Sequence, residues 1–309
     1  MNTTKRILAI QSSVCHGYVG NRAATFPLQL LGWDVDAIPT VELSNHAGYP
    51  IVKGRTLSAE QILDLYKGVS AANPSGYECL LTGYARGIGS VKAIMEIVRS
   101  VKSKNKKAFW VFDPVLGDNG RLYVEESIIP LYREMLPFAD LITPNGFEAE
   151  ILSGMRINSI DTAFKCVECL QQKYKVPRVV ISSFVVEENG VEKLYCIGSS
   201  IYSKSFFVLI PVIPGIFRGT GDLFTALMAA HIAESPDCTE SLASIKEDKL
   251  KKSVEMALSS VHEVIQKTAD RISALGVEEY HPAYAELCIV NSQNSIIAPS
   301  KLFEAVYYY

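Results

Sequence analysis

The sequence lacks an apolar run long enough to cross a membrane. Its longest such run, Phe206–Phe217, is interrupted by Pro211 and Pro214, whereas a membrane-spanning helix needs roughly 20 apolar residues. An excess of one charge is also missing, because 30 lysines and arginines face 33 aspartates and glutamates for a net charge of −3. This balance gives no reason to expect a nucleic acid or an anionic membrane as a partner. No internal repeat is visible, and the terminal Tyr307–Tyr309 is the one low-complexity segment.

Paired cysteines are absent as well. The seven cysteines are scattered and odd in number, which is typical of a reducing compartment rather than of a disulfide framework. Cys166 and Cys169 form a lone C-x-x-C on a helical pattern, and no second pair completes a zinc site. The first residues, Met1–Arg6, are polar and show no secretory signal. We therefore expect a cytoplasmic protein, shared with the nucleus if the source is eukaryotic.

The sequence does contain an alternation of two hydrophobic patterns. Short apolar, β-branched runs predict strands at Ile7–Gln11, Val35–Val41, Cys79–Thr82, Ala108–Val115, Asp140–Thr143, Val179–Phe184, Leu194–Gly198 and Phe206–Ile213. Amphipathic runs predict helices at Arg22–Leu31, Ala59–Ala71, Val91–Lys102, Glu125–Leu136, Phe147–Ser153, Thr162–Tyr174, Leu223–Ala233 and Leu250–Leu275. This alternation predicts an α/β fold with a central, mostly parallel β-sheet covered by helices on both faces. Because no linker divides the chain, residues 1–309 are interpreted as one domain.

Polar or aromatic residues follow most of the predicted strands. They stand at Gln11–Ser13, Thr82–Tyr84, Asp113–Pro114, Thr143–Asn145 and Ser182–Ser183. Ligands of open α/β sheets bind at the carboxyl ends of the strands, so we expect these residues to meet there. The segment Asn45–Leu57 is interpreted as an excursion over the sheet, and Gly117–Tyr123 as a mobile loop and candidate lid. Ser58 and Gln61 have the spacing of a capping box before a helix.

The most informative stretch is Arg218–Phe224, in which two glycines flank Thr220 and Asp222 stands where a helix would begin. Glycine permits a close backbone approach, and a helix N-terminus offers free N–H groups and the positive end of its dipole. Together they form a seat for an anion such as a phosphoryl group in transfer. Asp222 beside that seat is suited to take a proton from a hydroxyl group. The stretch predicts a small-molecule kinase without a Walker A motif, and a plain glycine turn with an acidic first helical turn is the alternative.

Six ordered segments carry a further signal. They are Ile10–Gly32, Ser44–Tyr49, Leu81–Tyr84, Phe112–Asp118, Ile142–Asn145 with Phe147–Glu150, and Gly219–Phe224. These segments resemble those of pyridoxal kinases, members of the ribokinase-like superfamily, and the resemblance runs essentially from end to end. It implies a ribokinase-like fold, a homodimer, and phosphoryl transfer from ATP to the 5′-hydroxymethyl group of pyridoxal, pyridoxine or pyridoxamine. It also implies Mg²⁺ or another divalent cation, together with a monovalent cation, K⁺ or Na⁺.

The same resemblance implies a role for each matching position. The catalytic group comprises the base Asp222 and the anion hole Gly219, Thr220 and Gly221. The vitamer contacts are Ser12, Val19, Ala47, Tyr84 and Asp222. The nucleotide contacts are Asp113, Asn145, Glu148, Ser183, Thr220 and Gly221. The metal positions are Asp113, Asp118, Thr143 and Glu148, of which Asp118 and Thr143 match positions near the phosphates and a monovalent cation. Ala47 departs from the threonine that related kinases often have, so one polar substrate contact is expected to be missing.

Alternative interpretations stay open from the sequence. Asn145 is also a natural N-cap for the helix that carries Glu148. A kinase for another hydroxymethyl heterocycle, such as hydroxymethylpyrimidine, and a non-catalytic pyridoxal-phosphate-binding protein are competing functions. The segment around His46 favours the pyridoxal type, and Asp222 argues against a pure binder, which needs no base. The glycine-rich Arg86–Gly89 is interpreted as a flexible turn rather than a dinucleotide site. Structural or solvent roles are expected for His16, His231, His262 and His281.

Overall fold

Strands and helices alternate along the chain in the computed structural model, which describes residues 5–233, 249–276 and 281–309. The strands are β1 Arg6–Val14, β2 Asp34–Leu43, β3 Gly54–Thr56, β4 Cys79–Thr82, β5 Phe109–Phe112, β6 Gly117–Asp118, β7 Arg121–Leu122, β8 Leu141–Ile142, β9 Arg178–Glu188, β10 Val191–Ser200, β11 Ser203–Ile210 and β12 Val306–Tyr307. The helices are α1 Asn21–Leu30, α2 Ala59–Ala72, α3 Ile88–Lys104, α4 Ile128–Met135, α5 Gly146–Ser153, α6 Ile160–Tyr174, α7 Thr220–Ala233, α8 Lys249–Leu275 and α9 Gln293–Ile297. Short 3₁₀ helices lie at Leu136–Phe138, Pro282–Ala285 and Val290–Ser292.

One large sheet joins the described strands in the order β12-β11-β10-β9-β8-β5-β4-β1-β2-β3. The central strands from β2 to β9 pair in parallel, whereas β3 and the strands from β9 to β12 add antiparallel edges. The chain leaves β1 toward β2 on one side and returns to β4 on the other side. A change of direction of this kind opens a crevice at the carboxyl ends of the strands. The predicted mostly parallel α/β sheet is confirmed.

Helices cover both faces of the sheet, as predicted. On one face α1, α7 and α8 pack a core that contains Leu28, Leu227 and Val254. On the other face α2 to α6 enclose a second core, with Trp110 among its largest fully buried side chains. Helix α7 is apolar on nearly every side because it lies between α1, α8 and the sheet. This burial fixes the position of the N-terminus of α7, where Thr220 begins the helix.

Several element boundaries differ from the predicted ones. Strand β11 ends at Ile210 rather than Ile213, since Pro211 has no N–H to continue the ladder. Helix α3 begins at Ile88, so only the first half of the predicted Arg86–Gly89 turn lies outside the helix. Gly87, with φ of +85°, makes the entry into that helix. The capping box at Ser58 is confirmed.

The predicted loop Gly117–Tyr123 is instead a short antiparallel hairpin of β6 and β7. Asn119 and Gly120 connect its strands with φ of +50° and +76°, the left-handed conformation that two-residue hairpin turns need. Closure of this hairpin as a lid stays a prediction.

The predicted excursion Asn45–Leu57 contains the edge strand β3. No described helix combines the length and the apolar character that a bilayer crossing demands. Residues 1–4, part of the polar start, lie outside the described residues.

Candidate active site

The site is built around the glycine turn that begins α7. Gly219 has φ of +81°, and the Leu223 N–H donates to its carbonyl oxygen at 3.0 Å. A Cβ atom at Gly219 would lie 1.9 Å from the Tyr18 carbonyl oxygen, so that only glycine fits. The N–H groups of the next residues open the helix and have no carbonyl one turn earlier. A Cβ atom at Gly221 would meet no atom within 4 Å apart from its chain neighbours and its own helix backbone, so the side of the helix that it faces is open.

Asp222 stands in the first turn of α7, beside the loop that follows β1. Burial raises the pKa of its carboxyl group, and a hydrogen bond from the Gly20 N–H opposes that rise. A Cβ atom at Gly20 would lie 2.2 Å from both the carbonyl oxygen and the Oγ of Ser12. The Cβ position of Gly219 is likewise 3.4 Å from the Cα of Val19. The predicted residues Ser12, Val19, Gly219 and Asp222 are therefore neighbours.

Tyr84 follows β4, the strand next to β1 in the sheet. Its predecessor Gly83 packs against Gln11, whose Oε1 would lie 2.6 Å from a Cβ at that position. The Thr40 hydroxyl donates to the Tyr84 carbonyl oxygen at 2.7 Å, which fixes the backbone there. Burial raises the pKa of the Tyr84 phenol. Tyr84 and Ser12 thus lie near the carboxyl ends of two adjacent parallel strands.

The loop after β2 brings Ala47, the last of the predicted vitamer contacts, toward the glycine turn. The His46 Nδ1 accepts a hydrogen bond from the Gly48 N–H at 3.0 Å, which curls the backbone around the exposed Ala47. A Cβ at Gly48 would lie 3.9 Å from the Nε of Arg218, the residue directly before the predicted anion hole. Glu286 contacts this loop, because its Oε1 lies 3.3 Å from the His46 Nε2.

Glu286 is a residue that sequence analysis missed. Its Oε2 accepts the Tyr18 N–H at 2.8 Å, and its Oε1 accepts the Tyr49 hydroxyl at 2.8 Å. It belongs to no recognised motif and lies far from its partners in the sequence. One signal was available, namely an acid at the head of the otherwise apolar run Glu286–Val290. Only the fold shows what that acid contacts.

A buried polar chain lies behind Asp222. The Thr225 hydroxyl donates to the Asp113 Oδ2 at 3.3 Å and shares a hydrogen bond with the Thr143 hydroxyl at 3.0 Å. Burial raises the pKa of Asp113 well above its usual value, and the charges of Glu148 and Asp222 raise it further. Sequence analysis missed Thr225, although it stands three residues after Asp222 and hence on the same side of the helix.

Asn145 and Glu148 cap α5 and hold the hairpin strand β6. The Asn145 Oδ1 accepts the Glu148 N–H, and the Glu148 Oε2 accepts the Asn145 N–H, both at 2.9 Å. The Glu148 Oε1 also accepts the N–H of Leu116 at 2.9 Å, while the Asn145 Nδ2 donates to the Gly117 carbonyl oxygen at 2.8 Å. The N-cap interpretation of Asn145 is confirmed. Burial raises the pKa of Glu148 despite these donors.

The described side chains would bind a divalent cation only if water or phosphate oxygens completed its coordination shell. Among the described residues, no three metal-ligating side chains converge on one point. Two buried carboxylates, Asp113 and Glu148, repel each other, and a cation nearby would relieve that repulsion. Mg²⁺ commonly takes one or two carboxylates and completes its shell with water and phosphate oxygens. Asp118 lies on the hairpin, where its charge raises the Glu148 pKa, whereas Thr143 faces α7.

A cavity of about 280 Å³ opens beside the glycine turn. Ser183, Thr220 and Gly221 line its polar end, while the rest of its wall is mainly apolar, with Leu194, Ile210, Val212, Ile213, Phe217, Phe224, Leu258, Val261 and Ile265. Such a cavity suits a flat, largely apolar ring joined to an anionic group. His262 also lines it, and burial lowers the pKa of that imidazole. We expected only a structural or solvent role for His262 and did not predict that it lines this cavity.

Known proteins resemble the chain over nearly its whole length. A family model described as phosphomethylpyrimidine kinase matches residues 86–272. Pyridoxal kinase of Sus scrofa is 37% identical over 319 residues, which cover 98% of this chain and 96% of the relative. Pyridoxal kinase of Arabidopsis thaliana is 38% identical and covers 99% of this chain and 95% of its own length.

Solved structures agree with these relatives. The pyridoxal kinase from Leishmania donovani in complex with ADP and pyridoxamine superimposes with a TM-score of 0.86 at 34% identity, over 99% of this chain and 100% of that one. The pyridoxal kinase from Trypanosoma brucei gives a TM-score of 0.81 at 31% identity, over 99% and 100% of the two chains. The full-length matches include the first 85 residues, which the family model does not reach and which contain Ser12, His46 and Tyr84. The chain therefore belongs to the pyridoxal kinase family and has its ribokinase-like fold.

Proposed function

We propose that this chain transfers the γ-phosphoryl group of ATP to the 5′-hydroxyl group of pyridoxal, and also of pyridoxine and pyridoxamine. The products are the vitamer 5′-phosphate, such as pyridoxal 5′-phosphate, and ADP. Relatives over the full length are pyridoxal kinases, and Leishmania donovani structures contain ADP with pyridoxamine or with pyridoxine. The observation that carries the proposal is the Asp222 carboxylate beside the glycine turn of α7, with Ser12 and Gly20 at its side.

Asp222 acts as the general base of this reaction. The 5′-oxygen of the vitamer attacks the γ-phosphorus while its proton passes to the Asp222 carboxylate. The new oxygen–phosphorus bond forms as the bond from the γ-phosphorus to the bridging oxygen breaks, and ADP leaves with that electron pair. The raised pKa of Asp222 brings it closer to neutral pH, where a base is most effective. The N–H groups of Thr220 and Gly221 receive the negative charge of the phosphoryl group.

The vitamer is held between the ends of β1 and β4 and the loop after β2. Ser12 hydrogen-bonds the pyridine ring, and Val19 and Tyr84 form its apolar and aromatic walls. Ala47 contributes a methyl group in place of a hydroxyl. Tyr84 keeps its phenol proton because burial raises its pKa, so it presents a neutral ring to the substrate.

ATP occupies the cavity beside the glycine turn, with its base against the apolar wall and Ser183 at the polar end. Asp113 would hold a Mg²⁺ ion together with phosphate and water oxygens, and the ion would supply neutralisation of the phosphate charge. Glu148 contributes charge and orients residues 116–117, because both of its oxygens already accept backbone N–H groups. A monovalent cation, K⁺ or Na⁺, is proposed near Thr143 and Asp118.

The proposal also includes a homodimer, a single domain over residues 1–309, and a cytoplasmic location. A single sheet that takes strands from residue 6 to residue 307 supports one domain. The six cysteines among the described residues are free thiols, which supports a reducing compartment. Light scattering coupled to size exclusion measures the oligomeric state, and fluorescence microscopy of the tagged chain measures the location.

Asp222→Asn tests the general base. We expect kcat for pyridoxal phosphorylation to fall by roughly a hundredfold or more, since the amide cannot accept the proton. Asp64→Asn is the control, because Asp64 is an exposed carboxylate on α2 that pairs only at the surface with Lys67 at 3.0 Å. Both variants should melt close to the wild-type temperature. An Asp222→Asn enzyme within a few-fold of wild-type turnover would rule out this role for Asp222.

A second candidate substrate is hydroxymethylpyrimidine, because the family model matched over residues 86–272 is described as phosphomethylpyrimidine kinase. Its hydroxymethyl group would meet Asp222 in the same way. Mass spectrometry of products formed from an equimolar mixture of pyridoxal and hydroxymethylpyrimidine decides between them. We expect pyridoxal 5′-phosphate to dominate, and a dominant pyrimidine phosphate would reverse the order of the two candidates.

A further inference from the structure

We propose that Glu286 is a positioning residue that fastens the two walls of the vitamer site to each other. This inference rests on the proposed function, since it assigns a role within the same site. Glu286 follows the 3₁₀ helix Pro282–Ala285, beyond α8 and beyond every segment that carries the family resemblance. It is only 6% exposed.

Three donors from two different loops converge on this one carboxylate. The Tyr18 N–H, in the loop after β1, donates to Oε2 at 2.8 Å. The Tyr49 hydroxyl, in the loop after β2, donates to Oε1 at 2.8 Å, and the His46 Nε2 lies 3.3 Å from the same oxygen. The His46 Nδ1 already accepts the Gly48 N–H, so the imidazole proton sits on Nε2 and points at Glu286.

Only an ionised carboxylate satisfies this arrangement. A glutamine of the same shape has one acceptor oxygen and one NH₂ group, so it would turn a donor toward either the Tyr18 N–H or the His46 side. Burial raises the pKa of Glu286, but the hydrogen bonds from His46, Tyr49 and Tyr18 outweigh burial and bring its pKa below the usual value. The carboxylate is thus charged throughout the neutral range.

The two loops that Glu286 joins are the two walls of the proposed vitamer site. Tyr18 is followed by Val19 and by Gly20, whose N–H donates to the base Asp222. Gly219 of the anion hole packs directly on the Tyr18 carbonyl oxygen. On the other side, His46 and Tyr49 flank Ala47. The position of one carboxylate therefore sets the separation between the loop after β1 and the loop after β2.

Glu286 is itself held rigidly. The Arg271 guanidinium, on α8, donates to the carbonyl oxygens of both Tyr284 and Glu286, at 2.8 and 2.5 Å. A Cβ atom at Gly17 would lie 2.2 Å from the Glu286 Oε1, which shows how closely the loop after β1 packs on the carboxylate. The Tyr49 ring is surrounded by the rings of His16, His46 and His281, with centroids 5.9, 4.8 and 5.9 Å away.

Glu286→Gln in the full chain tests the proposal. We expect the KM for pyridoxal to rise roughly tenfold, because a hydrogen bond to a charged group contributes on the order of tenfold to an equilibrium constant. The KM for ATP should stay within about twofold of the wild-type value, since neither Glu286 nor its hydrogen-bond partners line the cavity proposed for the nucleotide. Loss of stability alone would not produce this difference between the two substrates.

Asp140→Asn is the matched control. Asp140 also accepts a backbone N–H, from Trp110 at 2.8 Å, and a side-chain donor, Lys102 at 2.6 Å, but it lies at the amino ends of the strands. It should lower the melting temperature and leave both KM values unchanged. Tyr49→Phe is the second variant, because it removes one donor and keeps the carboxylate. Its KM for pyridoxal should rise a few-fold, and less than additively with Glu286→Gln.

The outcomes separate the two proposals. A wild-type chain that releases no ADP in the presence of pyridoxal overturns the proposed function and this inference with it. An active wild type whose Glu286→Gln and Tyr49→Phe variants keep the pyridoxal KM, or raise both KM values equally, overturns the inference alone. If Glu286→Gln does not fold, Tyr49→Phe decides in its place.

Discussion

Gly219 and Gly221 stand two residues apart and differ in what surrounds them. An alanine at Gly219 would have to adopt φ of +81° and place its Cβ 1.9 Å from the Tyr18 carbonyl oxygen. We expect Gly219→Ala to lower the free energy of unfolding by more than about 1 kcal/mol, because strained backbone and a clash add together. Urea denaturation followed by circular dichroism measures the loss.

Gly221→Ala is the control for Gly219→Ala and a prediction about catalysis. Its methyl group meets no atom within 4 Å apart from its chain neighbours and the backbone of its own helix, so we expect wild-type stability. Because a helical Cα–Cβ bond tilts toward the N-terminus of the helix, the methyl group would lean toward the N–H donors, and kcat should fall by roughly a hundredfold, as for loss of one oxyanion-hole donor. Wild-type turnover by Gly221→Ala would contradict the anion-hole assignment.

The sequence predicts some residues of the site better than others. Ser12, Tyr84, Asp113 and Asp222 could be predicted because each lies near the end of a strand or the start of a helix, where ligands of α/β sheets bind. Glu286 is not, because its contact with Tyr18 spans 268 residues of sequence. A contact of this kind depends on where the segment after α8 returns in space, and no periodicity of the chain contains that information.

At the scale of the elements, α5 is held by a capping box that also supports the hairpin of β6 and β7. Asn145→Ala removes the cap of α5 and the hydrogen bond to the Gly117 carbonyl oxygen. We expect a loss of about 1 to 2 kcal/mol in the free energy of unfolding. We also expect a higher KM for ATP, since Asn145 and the hairpin residue Asp118 are predicted to lie near its phosphates.

Ser58→Ala separates these two effects. Ser58 caps α2 with the same geometry, its side chain accepting the Gln61 N–H at 3.2 Å, but it is exposed and belongs to no proposed site. Its loss of stability should resemble that of Asn145→Ala, with the KM for ATP unchanged. Equal ATP KM values for the two variants would show that the cap of α5 has no influence on the nucleotide.

The elements themselves were largely predictable, whereas their ends were not. Every predicted strand and helix exists, because apolar periodicity reports which face is buried. The very short strands β3, β6, β7 and β12 were missed, since two or three residues are too few to establish a period. Their strand conformation comes from the neighbour that they pair with rather than from their own side chains.

For the molecule as a whole, His231 predicts how stability depends on pH. It lies on α7 with its Nε2 buried and without a hydrogen-bond partner in the described part of the chain, and burial lowers its pKa from 6.5 to about 4. The unfolded chain therefore binds a proton between these pH values that the folded chain does not. Stability should be fully present well above pH 6.5 and should fall by about 3 kcal/mol as the pH falls to 4.

Chemical denaturation at a series of pH values, for wild type and His231→Leu, measures this dependence. The difference in unfolding free energy between pH 6.5 and pH 4 should shrink in His231→Leu by the contribution of the imidazole. His281→Gln, at an exposed histidine, should leave the wild-type slope intact. Identical slopes in all three proteins would mean that His231 does not govern the acid sensitivity.

The contact between Tyr18 and Glu286 also orders events during translation. The ribosome synthesises the loop after β1 long before Glu286, because Tyr18 and Glu286 are 268 residues apart. At about 5 to 20 residues per second, the interval is roughly 10 to 50 seconds. Throughout that time the proposed vitamer site lacks the carboxylate that joins its two walls. Tight binding of the vitamin is thereby postponed until residue 286 has been synthesised and has joined the fold.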